Sequence, residues 1–168
     1  MENIAIIIPS RLNAERLPHK PLKLIKNKEM ILHVHAAAKD SNVGQVIVAT
    51  PDNEIFELIK KNNGHAVLTN NKHETGTDRV YEVFEKELNS KPEIIINFQG
   101  DMPNLNPNAI KDLAEHMKKN LCDIGTLASH IKNKHEEKDI NVVKVLVDNN
   151  IENKSFAKAI DFFRTSNK

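Results

Sequence analysis

The chain opens on an apolar run, Ile4-Ala5-Ile6-Ile7-Ile8, that breaks at Pro9 and is followed by Arg11, Arg16 and Lys20 on one loop. A parallel sheet binds ligands at the carboxyl ends of its strands, and guanidinium and ammonium groups placed there suit phosphate oxygens. The arrangement points to a nucleoside triphosphate, although Arg and Lys after a strand also serve as an ordinary solvated loop.

Two further loops carry related chemistry. The run Ile94 to Phe98 leads into Gln99-Gly100-Asp101-Met102-Pro103. There a glycine permits close backbone approach and an acid offers hard oxygen to a divalent cation, while the same Asp could serve only as a turn former or helix cap. Glu74-Thr75-Gly76-Thr77-Asp78-Arg79 precedes a helical pattern. Thr77 or Asp78 can cap that helix while its first amides face an anion or a base edge; the plainer reading is a capped helix with Arg79 in solvent. All three loops fall on the carboxyl side of an α/β unit, where they can converge on one crevice.

The elements that must position these loops follow from periodicity. Short runs rich in Ile and Val predict strands at Ile4 to Ile8, Gln45 to Thr50, Ala66 to Thr69, Ile94 to Phe98, Ile124 to Ala128 and Val142 to Val147. Between them, Met30, Val34, Ala37 and Ala38 keep helical spacing. So do Ile55, Leu58 and Ile59, then Val80, Val83, Phe84 and Leu88, then Ile110, Leu113 and Met117, the last helix starting at Pro107-Asn108. Phe156, Ala159, Ile160 and Phe163 predict a short amphipathic helix from Ser155 to Arg164.

Composition sets the limits. The 168 residues suit one domain; 39% are hydrophobic and 28% charged, which is globular rather than disordered. Twenty-four Lys and Arg against twenty-three Asp and Glu leave a net charge of +1, so no whole-chain field draws the protein to nucleic acid or anionic lipid. No run is long enough for a membrane span or signal peptide, and a cytoplasmic location is expected. Cys122 stands alone and is read as a small buried hydrophobe. His33, His35, His65, His73, His116, His130 and His135 lack metal-ligand spacing and are read as packed or solvated, none of them catalytic.

Taken in order, IIIPSRLNAERLPHKPL, TGTDR, FQGDMP, GTLASHI and NVVKVLVD resemble the 3-deoxy-manno-octulosonate cytidylyltransferase (CMP-Kdo synthetase) family, as far as Asp148. QGD after a strand with TGTDR upstream separates this pattern from sialic acid cytidylyltransferases. The opening lacks the glycine-rich run usual in sugar 1-phosphate nucleotidyltransferases. The resemblance implies an α/β, Rossmann-like three-layer nucleotide-diphospho-sugar transferase fold with a mostly parallel central sheet. It is expected as a single domain over 1–168, with a family-like core at 1–148 and a divergent tail at 149–168, and without the family's C-terminal third.

The resemblance also implies a reaction. The anomeric hydroxyl of Kdo attacks the α-phosphorus of CTP, pyrophosphate leaves, and CMP-Kdo goes to lipopolysaccharide assembly, with Mg2+ as cofactor. Arg11 and Lys20 match triphosphate-binding cations, with Arg16 assisting; Asp101 matches a magnesium ligand, and Arg11, Lys20 and Asp101 together form the implied catalytic set. Gln99 matches a residue reaching toward Kdo, Thr77 and Arg79 lie near the nucleotide, and Arg164 matches the arginine of a Phe-Ser-Arg element that holds the acidic sugar. Three departures stand out: His19 replaces a usual glycine, Met102 a common glutamate, and Asn149 to Lys158 is longer and more polar than the usual hairpin turn; the family makes the segment around Arg164 a strand where its apolar spacing suggests a helix, and both readings stay open. The part of the family beyond Arg164 carries a second acidic metal ligand and much of a homodimer contact. Two rival readings are therefore a CTP-binding domain without turnover and an interaction module presenting Phe156, Phe162 and Phe163.

Overall fold

A computed structural model describes residues 3–13, 17–88, 91–120, 122–148 and 156–165. The chain divides into two compact units, 1–125 and 126–168. The first contains β1 (Ile4–Pro9), the hairpin strands β2 (Leu24–Ile25) and β3 (Lys28–Glu29), α1 (Met30–Asp40) and β4 (Gln45–Thr50). It continues through α2 (Asn53–Lys61), β5 (His65–Leu68), α3 (Gly76–Glu87), β6 (Ile94–Asn97) and α4 (Pro107–Asn120). The second contains α5 (Lys134–Lys138), β7 (Lys144–Val147) and β8 (Ala159–Phe163).

The sheet of the first unit runs in the order β5-β4-β1-β6, every pair parallel. Strand β1 is wholly buried because both its faces are covered. Side chains alternate across a strand, so Ile4, Ile6 and Ile8 enter one core with Ile31 and Val34 of α1, Ile55 and Ile59 of α2, and Ile110 and Ala114 of α4. Ala5 and Ile7 enter the other with Ile47, Ala49, and Val80 and Val83 of α3. Three layers result, which is the Rossmann-like arrangement expected from the sequence. The chain adds β4 and β5 on one side of β1 and then returns to add β6 on the other, so the order reverses between β1 and β6. Crevices for ligands form at that reversal, outside the carboxyl ends of the strands.

Three sequence expectations fail. Residues 124–128 form no strand, and Ile124 is 89% exposed. An apolar run becomes a strand only where a neighbour supplies ladder hydrogen bonds, and among the described residues none pairs with this one. Ala159–Phe163 is a strand, as the family resemblance implies, rather than the helix that its apolar spacing predicts, and it pairs antiparallel with β7 through Lys144↔Phe163 and Val145↔Phe162. An isolated helix this short is marginal, whereas the ladder with β7 satisfies the backbone. Cys122 is exposed rather than buried.

In the second unit Lys144 is buried, and its ammonium donates to the Arg164 carbonyl at 2.7 Å. No helix among the described residues is long and apolar enough to cross a membrane.

The opening loop folds back on itself after β1. The His19 amide donates to the Leu12 carbonyl at 3.0 Å, and a short 3-10 turn, Lys20–Leu22, follows. His19 turns the chain with φ 55° and ψ 25°, the left-handed region that favours glycine. This accounts for the glycine usual at that place in the family the sequence resembles. The His19 side chain is exposed. Replacing His19 with glycine should therefore raise stability by about 1 kcal/mol, read as a higher denaturation midpoint in urea at unchanged slope. A lower midpoint would mean that the imidazole contributes more than its backbone costs.

Candidate active site at the strand reversal

The three loops singled out in the sequence do converge. A cavity of about 260 Å³ is lined by Pro9, Ser10, Arg11 and Lys20 from the opening loop and by Gln99, Gly100 and Asp101 after β6. His73, Glu74, Thr75, Gly76 and Arg79, from the loop before α3 and its first turn, complete most of the wall.

Backbone proximity makes this possible. The Phe98 amide donates to the Ile7 carbonyl at 3.0 Å, extending the β1–β6 pairing into the loop. A Cβ on Gly100 would stand 2.9 Å from the Pro9 carbonyl oxygen, and one on Gly76 would stand 3.2 Å from Pro9 Cγ. Only glycine at position 100 lets the chain pass this close to β1 without displacement.

Two of the loops are held by carboxylates that accept backbone amides. The Leu12 amide donates to Asp52 Oδ2 at 2.8 Å, and the Ser10 amide donates to the Ala49 carbonyl at 2.9 Å, so the opening loop is tied to the end of β4. Thr75 and Asp78 form a reciprocal capping box at the start of α3. These Thr75 hydrogen bonds, side chain then backbone, lower the Asp78 pKa.

Arg79 is not the solvated residue of the plainer reading. It is buried, and its guanidinium donates to Thr69 Oγ1 and, at 3.0 Å, to the Asn70 carbonyl. Burial and then the Arg11 charge lower its pKa, against Asp52 and Glu82, which raise it. Glu82 on α3 accepts from the Asn70 amide at 2.8 Å, from His73 Nε2 at 2.6 Å and from Lys86 at 2.9 Å.

Across the cavity Lys20 Nζ donates to Asp101 Oδ2 at 2.7 Å, with side chains 36% and 52% exposed. An ion pair this exposed is worth roughly 0–1 kcal/mol, so phosphates and a cation can separate it at little cost. Gln99 donates to Asn97 Oδ1 at 2.8 Å, and Asn97 donates to Thr77 Oγ1 at 3.4 Å. Ser10 Oγ is buried with no hydrogen-bond partner among the described residues.

Of the residues singled out in the sequence, Arg11, Lys20, Arg79, Gln99 and Asp101 line this one cavity. Thr77 adjoins it through Asn97. Arg16 lies outside the described residues. Arg164 belongs to the second unit, where its guanidinium donates to the Ile140 and Asn141 carbonyls at 3.1 and 3.2 Å. Sequence reasoning missed His73, Asn97, Asp52 and Glu82. No single-sequence signal marks Asp52 or Glu82, since each acts on a loop distant in the chain, whereas His73 sits just before the Glu74 to Arg79 loop that the sequence singles out.

The wall suits a polyphosphate: cations, a helix start and a buried hydroxyl gather in one place. For a divalent cation it offers Asp101 and Glu74, and no group of three or more His, Cys, Asp or Glu is assembled among the described residues. Magnesium fits such a site, since it commonly takes one or two carboxylates and completes its shell with water and substrate phosphates.

Comparisons with known proteins agree with this geometry. The cytidylyltransferase family model matches residues 5–168. The chain is 41% identical over 148 residues to the 3-deoxy-manno-octulosonate cytidylyltransferase of Glaesserella parasuis serovar 5 (strain SH0165), covering 88% of this chain and 58% of that protein. It is 43% identical over 145 residues to 3-deoxy-manno-octulosonate cytidylyltransferase 2 of Actinobacillus pleuropneumoniae serotype 5b (strain L20), covering 86% and 58%. Among solved structures, a CMP:2-keto-3-deoxy-manno-octonic acid synthetase complexed with CTP superposes with a TM-score of 0.80 at 32% identity, covering 98% of this chain and 65% of that one. The chain thus spans about 58% of the length of the curated relatives it matches.

The Glu82 anchor carries a pH signature. Desolvation raises its pKa, but the hydrogen bonds from Lys86, Asn70 and His73 outweigh this and bring it down from 4.5 to about 2. A carboxylate held below its unfolded value stabilises the fold fully above the unfolded pKa and loses that contribution as pH falls through the folded one. Acid unfolding between about pH 4.5 and 2 should therefore be less steep in Glu82→Gln than in the parent, measured by the denaturant midpoint against pH. Parallel curves would show that Glu82 does not anchor the loop.

Proposed function

The chain belongs to the cytidylyltransferase family, and from that membership together with the cavity at the strand reversal we propose that it transfers CMP from CTP to the anomeric hydroxyl of Kdo. The products are CMP-Kdo, for lipopolysaccharide assembly in the cytoplasm, and pyrophosphate. Both compact units are read as parts of one nucleotidyltransferase domain, because the family match runs across the two of them.

The observation that carries the reading is the assembly of Arg11, Lys20 and Asp101 on one cavity wall. Nucleotidyl transfer asks a protein mainly to position reactants and to neutralise phosphate charge. In this reading Arg11 and Lys20, with Arg16, hold the triphosphate, and Thr77 and Arg79 set the wall near the nucleotide. Gln99 faces the sugar acid and is oriented by Asn97, to which it donates at 2.8 Å. Asp101 would hold a magnesium ion, which would supply neutralisation of the phosphate charge.

Lys20 has a double part. In the free protein it bonds Asp101; a phosphate that drew Lys20 away would leave that carboxylate free to hold a cation. The sugar hydroxyl then attacks the α-phosphorus, its proton is lost to solvent, and the bond to the β-phosphate oxygen breaks with its electron pair leaving on pyrophosphate.

A second reading rests on the sparse acid set: with no group of three metal-binding side chains among the described residues, the domain binds CTP without turnover. Mixing the protein with CTP, Mg2+ and Kdo separates the two. Turnover is expected as pyrophosphate release that falls roughly 100-fold or more in Asp101→Ala, a loss typical of removing one electrostatic contact from a transition state. CTP binding by calorimetry without pyrophosphate release would establish the second reading, and no binding would leave the family and fold alone. Lys20→Met is expected to weaken CTP binding at least tenfold, in line with the loss of a charge-assisted hydrogen bond.

A further inference from the structure

We propose that Asn97 is a positioning residue for the second substrate: it holds the Gln99 side-chain amide so that the amide oxygen is left to receive a hydroxyl hydrogen of the sugar acid. The inference deepens the CMP-transfer reading above and rests on it.

Strand alternation decides where Asn97 stands. Ile95 and Asn97 share one face of β6, and Ile95 packs against the cluster that holds Val80 and Val83 of α3. One step further along that face the sequence sets an amide where another apolar side chain would continue the core. There Asn97 meets the first turn of α3, donating to Thr77 Oγ1 at 3.4 Å, and it accepts from Gln99 Nε2 at 2.8 Å. Gln99 lines the cavity, so Asn97 acts on the cavity through it.

The nitrogen of a side-chain amide only donates and its oxygen only accepts. With Gln99 Nε2 committed to Asn97, Oε1 has no hydrogen-bond partner among the described residues. Oε1 lies 3.5 Å from the point where a Cβ on Gly76 would stand, next to Pro9, and Pro9, Gly76 and Gln99 all line the cavity. An acceptor in that place meets a donor. Of the groups on a sugar acid the hydroxyls donate, whereas an ionised carboxylate cannot. Gln99 is a long side chain with much rotamer freedom to lose, and a contact that orders it before the ligand arrives removes that cost from binding.

The plainer alternative is that Asn97 merely ties the end of β6 to α3. A double-mutant cycle separates the two roles, because a residue that acts through Gln99 has no effect once the Gln99 amide is gone. Kdo binding is read by calorimetry on protein saturated with Mg2+ and a CTP analogue whose α,β-bridging oxygen is replaced by methylene, so that no turnover intervenes. Gln99→Met is expected to bind Kdo about tenfold more weakly than the parent and Asn97→Ala about fivefold, each keeping its affinity for the analogue within about twofold, in keeping with the loss of one neutral hydrogen bond. The double variant is expected to bind Kdo no more weakly than Gln99→Met alone. Parent-like Kdo binding in Asn97→Ala, losses that multiply to about fiftyfold in the double variant, or equal weakening of Kdo and the analogue would each make Asn97 a structural tie and overturn the proposal while the CMP-transfer reading stands. If the parent itself binds no Kdo, that reading falls and the inference with it.

Discussion

The approach of the chain after β6 to the end of β1 is the constraint on which the site depends. Gly100 passes so near the Pro9 carbonyl that a single added carbon would stand 2.9 Å from its oxygen. That contact sits where the strand order reverses, and it sets the separation between the opening loop with its cations and the loop with Asp101. A parallel sheet fixes this spacing through its ladder, from Ile4↔Ile94 to Ile7↔Asn97, and leaves the loops beyond it to take their positions from the ladder's end. The 2.7 Å Lys20–Asp101 contact across the cavity is one consequence. The gathering of three sequence-distant loops on one wall is another.

Charged groups around the cavity divide into those that hold the loops and those left for a ligand. Asp52 takes a backbone amide of the opening loop, Glu82 takes one from the loop before α3, and buried Arg79 takes the Asn70 carbonyl. Charges with such partners in a low-dielectric setting are costly to disturb and therefore make good anchors. Lys20 and Asp101 are of the other kind: half exposed, paired with each other, and easily separated. The pairing keeps opposite charges from facing solvent alone without locking either, which suits groups whose partners arrive only with substrate.

Much of the fold was legible because burial enforces pattern. Ile4 to Ile8 reads as a strand since both faces are covered, and the helical spacing of Ile55 with Ile59 or Val80 with Val83 follows from packing on the sheet. The pattern misled where packing was absent. Phe156, Ala159, Ile160 and Phe163 keep helical spacing, yet Ala159–Phe163 is a largely exposed strand whose conformation is set by pairing with β7 rather than by an apolar face. Ile124 to Ala128 has the composition of a buried strand and no ladder to join. In the site, glycines and charges next to strand ends were legible because the chemistry demands those residue types there. Asp52 and Glu82 were not, because an anchor is defined by the distant amide it accepts, and nothing local distinguishes it from a solvated acid.

Three residues on or beside the loops around the cavity depart from local rules. His19 turns in a left-handed conformation, Ser10 buries an unpartnered hydroxyl, and Arg79 gives up solvent for two hydrogen bonds near a second arginine. Each costs stability, and each stands on or beside one of the loops that line the same wall. A core that includes Ile6, Ile7, Ile8, Ile47 and Val48, all fully buried, supplies the margin that lets these costs persist. Ser10 and Arg79 stand at the cavity where β1 meets β6, the first without a partner of its own and the second held by Thr69 and Asn70, so the wall combines a group left open with a charge fixed in place.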